Sequence, residues 1–174
     1  KLLKSEVTTS VAVECLGANR FGFDMGHSVG HEVEFVHCRG AFDLIGRFLG
    51  EMKATPGRAA GRSLLDDTLV LVLSDFSRTW PSAPTCDHWP TTSVIFAGGG
   101  INPNRMIGTY DVASKPVGLQ GYLGAPIAIQ ESSGLAHRVP RSADIVTTAL
   151  AVLGVSGIRI PGGNGEIIGV RAGT

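Results

Sequence analysis

The sequence has little of several features that would point to a class of protein. Its 174 residues carry 15 basic and 15 acidic side chains, so the formal net charge is zero. A protein that binds the nucleic-acid backbone is basic, and attraction to an anionic surface needs an excess of positive charge. We therefore expect no nucleic-acid partner. No apolar run approaches the length of a membrane-spanning helix, so we also expect no membrane span.

Cysteine is scarce as well. The three cysteines, Cys15, Cys38 and Cys86, are too scattered for a zinc motif, and their odd number leaves at least one outside any disulfide. We expect Cys15 and Cys38 to be small buried apolar residues. A disulfide-rich scaffold is excluded.

Apolar runs and helical patterns predict the fold class. Residues 68–73 and 93–97 are apolar and rich in β-branched side chains, which is typical of strands buried on both faces of a parallel sheet. Apolar residues recur with helical spacing over residues 35–52 and 145–153, where Ser142 is a candidate cap and Gly154 a candidate stop. The pattern predicts an α/β fold with a mostly parallel sheet and helices on both faces. We also expect short strands at residues 9–15 and around residues 105–109.

Polar residues follow the predicted strands. Asp75 comes directly after the first apolar run, and in open α/β sheets ligands bind beyond the carboxyl ends of the strands. Asp87 and His88 lie in the Pro-rich loop that leads to the second run. A further loop carries Asp24 and His27, whose spacing allows a carboxylate and an imidazole to face one cation. His31 could replace His27, and by spacing alone a solvated polar pair is the commoner outcome.

Arg78 lies in the same loop as Asp87 and has two interpretations. A guanidinium matches phosphate or sulfate oxygens with two parallel hydrogen bonds. The alternative is a salt bridge to Asp75 or Asp87, and the residues favour neither. The glycines at positions 98–100 lack the remainder of a phosphate-binding motif, so they indicate a tight strand exit.

Four segments together resemble a known family: LLDDTLVLVLSDFSRT, DHWP, SVIFAGGGI and IGTYD. They are similar to the carboxyl-terminal half of an exported bacterial family of uncharacterised, sulfatase-like proteins in the alkaline phosphatase-like superfamily. The resemblance spans residues 9–170, and residues 64–110 carry most of it. It implies an alkaline phosphatase-like fold. It also implies that residues 1–174 form a single α/β domain, the carboxyl-terminal half of a larger one, whose sheet the rest of the polypeptide or another chain would cover.

The resemblance implies a site that holds a divalent cation, either zinc, calcium, magnesium or manganese. The implied ligands are Asp24, His27, Asp75, Asp87 and His88. His27 is preferred over His31, and Asp87 is either a ligand or the acceptor that orients the His88 imidazole. Arg78 would contact the oxyanion of a small anionic ester substrate. The nucleophile would come from the missing half.

The implied function is metal-dependent hydrolysis of phosphate or sulfate esters, in the periplasm or at the cell surface after export. The alternative is a noncatalytic binding or structural subunit that keeps the fold with a degenerate metal site. Two departures favour the alternative. Phe76 stands where active members of the superfamily often carry a metal-binding histidine, and His27 lies one residue farther from Asp24 than in the nearer family.

Overall fold

The computed structural model describes residues 10–13, 30–74, 77–78, 88–89, 92–111, 125–126 and 139–173. The chain divides into two compact units, residues 1–65 with 81–87 and residues 66–80 with 88–174. The elements in chain order are α1 (Gly30–Ala54), β1 (Leu69–Leu73), β2 (Ser77–Arg78), β3 (His88–Trp89), β4 (Val94–Gly98), β5 (Tyr110–Asp111), β6 (Ala125–Pro126) and α2 (Ser142–Val152). That residues 1–174 form a single domain stays a prediction.

Helix α1 confirms the helix predicted over residues 35–52 and begins five residues earlier, at Gly30. Little of its apolar surface is buried. Met52 is 4% exposed, whereas five other large apolar side chains of the helix are 45–67% exposed. Those open side chains are Phe35, Val36, Phe42, Leu44 and Phe48. The expected packing of the whole apolar face is therefore wrong for Phe42 and Phe48. Cys38 is exposed too, so its predicted burial is wrong.

The segment after α1 forms the tight connection that its Pro and Gly residues predict. Pro56 and Ser63 form an isolated antiparallel bridge. The Gly57 N–H donates to the Arg62 carbonyl at 2.8 Å, and the Leu65 N–H returns to the Met52 carbonyl at 3.3 Å. The second bond satisfies the Met52 carbonyl, one of the last four carbonyls of α1, which have no partner within the helix.

The strands predicted at residues 68–73 and 93–97 are confirmed as β1 and β4, each within one residue. They pair antiparallel, with Leu69 opposite Gly98 at one end and Leu73 opposite Val94 at the other. The predicted mostly parallel, alkaline phosphatase-like sheet with helices on both faces is wrong for the described residues. All of their strand pairs, β1–β4, β2–β3 and β5–β6, are antiparallel.

The connection between β1 and β4 explains why these strands are antiparallel. A parallel pair needs a crossover connection, whereas the chain between β1 and β4 turns back and forms the inner pair β2–β3. An unbroken apolar run carries no information on strand direction. The expected burial on both faces is also wrong, because Leu73 is 62% and Ile95 41% exposed. The argument that placed Asp75 at the common edge of parallel strands consequently loses its basis.

Two minor strand predictions also differ from the structure. Residues 10–13, the described part of the strand expected at 9–15, have no regular secondary structure. Residues 105–109 are irregular, and the short strand expected there begins at Tyr110 and pairs with Ala125–Pro126.

Helix α2 confirms the second helical pattern, although its first turn differs from the prediction. Arg141, and not Ser142, is the N-cap residue, and the Asp144 carboxylate accepts the Arg141 N–H at 2.8 Å. At the other end the Gly154 N–H donates to the Ala151 carbonyl and the Val155 N–H donates to the Leu150 carbonyl. Gly154 has φ 84°, so these bonds form a Schellman motif and confirm the predicted stop.

The buried side of α2 is mostly polar, since its four buried residues are Asp144, Thr147, Thr148 and Ala151. Asp144 is 1% and Thr148 0% exposed, whereas Val146 and Leu153 of the predicted apolar face lie exposed. The Thr148 hydroxyl donates to the Asp144 carbonyl at 2.6 Å and accepts the Ile167 N–H at 2.8 Å. The prediction of an apolar buried face is wrong because burying a polar side chain costs little free energy once its atoms are hydrogen-bonded.

The carboxyl-terminal segment is also joined to the chain that follows β4. The Asn102 side-chain amide donates to the carbonyls of Gly169 and Arg171, at 3.0 and 2.9 Å. The Arg171 guanidinium contacts the Glu166 carboxylate at 2.7 Å, and this hydrogen bond with its charge attraction raises the pKa of Arg171. A raised folded-state pKa stabilises the fold below the ordinary pKa of arginine, and this contribution is lost as the pH rises through the folded-state pKa.

Candidate functional site

The polar loop that the sequence singles out lies at the end of the β1–β4 hairpin. Residues 74–76 separate β1 from β2, and residues 90–93, one residue more, separate β3 from β4. The pair β2–β3 forms a separate two-stranded sheet, and its register differs by one residue from that of β1–β4. Residues 79–87 connect the two inner strands.

Within the inner pair, Arg78 is the register partner of His88, and Ser77 is the partner of Trp89. Directly opposite residues of an antiparallel pair have Cα atoms about 4.5–5.5 Å apart. Two residues ten positions apart in the sequence, both predicted to belong to the site, thus occupy neighbouring backbone positions.

The open end of the hairpin is fixed by a close backbone approach. The Gly99 N–H donates to the Thr68 carbonyl at 3.1 Å, just beyond the last pair of the β1–β4 ladder. A β carbon at Gly99 would overlap the carbonyl oxygen of Asp66 and lie 2.7 Å from its carbonyl carbon. Only glycine fits this approach, so the first glycines after β4 serve the strand exit that the sequence indicates.

The other predicted site residues are distributed differently. Asp24, His27, Asp75 and Asp87 lie outside the described residues, so the ligand set implied by the resemblance stays a prediction. His31, the alternative to His27, lies in the first turn of α1. The backbones of Arg78 and His88 are in register, and the roles of all these residues stay predictions.

Among the side chains that the structure describes, no three His, Cys, Asp or Glu residues gather closely enough to hold a metal ion. The side chains of His31, His37 and His88 are not among them. In the described part of the chain, neither α1 nor α2 combines the length and the hydropathy that crossing a bilayer requires.

Sequence reasoning missed the cluster that holds the carboxyl-terminal segment on α2. Asp144 accepts the backbone N–H groups of Asn164 and Gly165, the latter at 2.8 Å. The Arg141 side chain donates to the Gly162 carbonyl at 3.0 Å. The sequence does contain a signal for this cluster, because Asp144 lies three residues after the N-cap residue. At that spacing a side chain can accept a hydrogen bond from the N-cap backbone N–H. These contacts account for the position of residues 160–167.

Among the predicted site residues, Arg78 and His88 are thus paired across two antiparallel strands. The model of a family described as "Protein of unknown function (DUF1501)" matches residues 58–120, a range that holds β1 through β5 but is well under half of the chain. The coarser part of the resemblance, to a family of unknown function centred on residues 64–110, is confirmed. The match contains no link to sulfatases or to the alkaline phosphatase-like superfamily.

Comparisons with curated proteins gave no match. Comparisons with solved structures gave none either.

Proposed function

We propose that the chain is part of a metal-dependent hydrolase that acts on phosphate or sulfate esters and is related to the sulfatase-like proteins of the alkaline phosphatase-like superfamily. The relation rests on the four sequence segments named above. We further propose that the protein works in the periplasm or at the cell surface, as the resemblance implies.

The observation that carries the proposal is the pairing of Arg78 with His88 across β2 and β3. Ester hydrolysis of this class needs a cation to polarise the ester and a donor to hold the remaining oxyanion oxygens. Imidazole is a common metal ligand, and guanidinium binds phosphate or sulfate oxygens in pairs. Directly opposite backbone positions are compatible with both residues serving one small anionic ester, which supports the proposal.

In the proposed site, Asp24, His27 and His88 hold one divalent cation, and Asp75 with Asp87 completes a second. Arg78 contacts the oxyanion. The cation would supply Lewis-acid stabilisation of the leaving oxygen. The side chains would orient the ester. Carboxylate and imidazole donors suit zinc and manganese, and oxygen donors alone would suit magnesium or calcium.

A second candidate function is a noncatalytic binding or structural subunit. The apolar side chains exposed on α1, among them Phe42 and Phe48, favour it, because extended apolar surface marks interaction sites. Phe76 favours it as well, since a phenyl ring cannot coordinate a cation. This candidate would need another chain, or more of the same polypeptide, to cover α1.

Hydrolysis assays separate the two candidates. The purified protein is assayed on an aryl phosphate and an aryl sulfate after chelation, and again after addition of zinc, manganese, magnesium or calcium. The hydrolase proposal predicts turnover that chelation removes and one of the metals restores. Turnover unaffected by chelation contradicts the metal-dependent mechanism. Absence of both turnover and metal binding in the full-length protein favours the noncatalytic subunit.

A further inference from the structure

Asn164 and Gly165 form the one Asn-Gly dipeptide in the sequence. Asparagine is among the thermolabile residues, and a following glycine offers the least steric resistance to backbone attack. In this reaction the Gly165 nitrogen forms a bond to Asn164 Cγ, and the Cγ–Nδ2 bond breaks. The amide proton leaves with the released ammonia. Water then opens the cyclic imide to aspartate or isoaspartate, so water is the only co-reactant.

In the folded structure the attacking nitrogen already donates a hydrogen bond. The Gly165 N–H donates to Asp144 Oδ1 at 2.8 Å, and the Asn164 N–H donates to the same oxygen. Asp144 is 1% exposed, so its carboxylate is shielded from water. The Asn164 side-chain nitrogen lies 3.4 Å from the Val139 carbonyl and 3.5 Å from Asp144 Oδ2, both at the long end of hydrogen bonding.

Attack requires the Gly165 nitrogen to lose its proton as it approaches Cγ. A carboxylate that accepts this N–H opposes the loss, because the amide would become an anion beside an existing negative charge. Shielding from water strengthens that opposition. The same hydrogen bond holds the nitrogen in its native position.

We propose that Asn164–Gly165 is a latent deamidation site, that Asp144 keeps it unreactive in the folded chain, and that its conversion releases the carboxyl-terminal segment from α2. Conversion replaces the Asn164 amide by a carboxylate, so that a second carboxylate lies close to that of Asp144, which is 1% exposed. Like charges at such a distance disfavour each other strongly. Residues 160–167, held through Asp144 and Thr148, would then detach, and the change is irreversible.

The first test measures deamidation at Asn164 by peptide mapping with mass spectrometry. The chain is incubated at mildly alkaline pH when folded, when unfolded in denaturant, and as the Asp144→Asn variant, which keeps an acceptor oxygen but removes the charge. Folded wild type should react at least about tenfold more slowly than the unfolded chain, the effect of one pKa unit on the amide. Asp144→Asn should approach the unfolded rate. Equal rates in folded and unfolded wild type would overturn the protection.

The second test stands even if Asp144→Asn fails to fold. It compares the melting temperatures of Asn164→Asp and Asn164→Ala, which both lose the side-chain amide, while the first alone adds a charge. Asn164→Asp should melt lower and should release the carboxyl-terminal segment to limited proteolysis. Equal or higher melting of Asn164→Asp would overturn the release.

Discussion

Arg78 and His88 are register partners on β2 and β3, at the inner end of the hairpin formed by β1 and β4. One residue type binds oxyanions and the other binds metal cations. Their pairing depends on the fold, because ten positions separate them in the chain. The antiparallel register therefore places side by side two residues that are distant in the sequence.

The first prediction concerns the role of Arg78. Arg78→Lys keeps a positive charge but loses the fork of paired donors. Ester turnover should fall about 10–100-fold, as the loss of a charged hydrogen bond worth roughly 1.5–3 kcal/mol implies, while metal affinity stays unchanged. Steady-state kinetics and metal titration check both parts.

The matched control is Arg105→Lys, an exposed arginine in the same unit. It should retain wild-type turnover. An equal loss in both variants, or no loss in Arg78→Lys, would favour the interpretation of Arg78 as a salt-bridge residue.

A second prediction tests the close approach at the hairpin exit. Gly99→Ala places a methyl group against the Asp66 backbone, so it should lower the free energy of unfolding by about 1–3 kcal/mol, the usual cost of overpacking. Gly46→Ala is the control. Gly46 lies within α1 with nothing within 4 Å of its β position, so alanine should stabilise the chain by about 0.4–1 kcal/mol. Chemical denaturation measures both, and two variants of equal stability would contradict the prediction.

The hairpin also illustrates what the sequence can predict. The strands β1 and β4 were predicted within one residue, because an apolar run bounded by turn formers is a local signal. Their antiparallel direction was missed because pairing depends on how the intervening chain returns. A run such as Leu69–Leu73 is compatible with either direction.

The third prediction concerns the polar contacts under α2. Thr148→Val is close in shape but leaves the Ile167 N–H without its acceptor, in a buried position. We expect a loss of about 1–3 kcal/mol and faster hydrogen exchange at the Ile167 amide. Thr147→Val is the control, because among the described residues the Thr147 hydroxyl bonds to the Ala143 carbonyl one turn away and to no distant segment. Unchanged protection of Ile167 in Thr148→Val would show that the hydroxyl is dispensable.

The buried face of α2 was predicted less well than its ends. Periodicity places polar residues outward, whereas Asp144 and Thr148 lie inward because a distant segment supplies their partners. A long-range partner leaves no mark in the helical pattern itself. For the same reason the sequence suggested Asp24, His27, Asp75, Asp87 and His88 as one ligand set without fixing their geometry.

The fourth prediction compares two sides of α1. Met52→Ala removes a side chain that is 4% exposed, so it should cost about 2–5 kcal/mol. Phe42→Ser changes an exposed side chain of the same helix and should cost less than about 0.5 kcal/mol. Thermal and denaturant unfolding give both values. A cost for Phe42→Ser near that of Met52→Ala would mean that Phe42 is covered in solution.

Binding of a divalent metal at His88 is the most direct measure of the proposed function. Calorimetric titration of zinc or manganese into the metal-stripped chain compares wild type, His88→Ala and the control His37→Ala. The proposal predicts near-stoichiometric binding to wild type and to His37→Ala. It also predicts that His88→Ala weakens binding by more than the roughly 10–100-fold seen when only an outer-shell partner of a metal ligand is lost. Equal affinity in wild type and His88→Ala would contradict it.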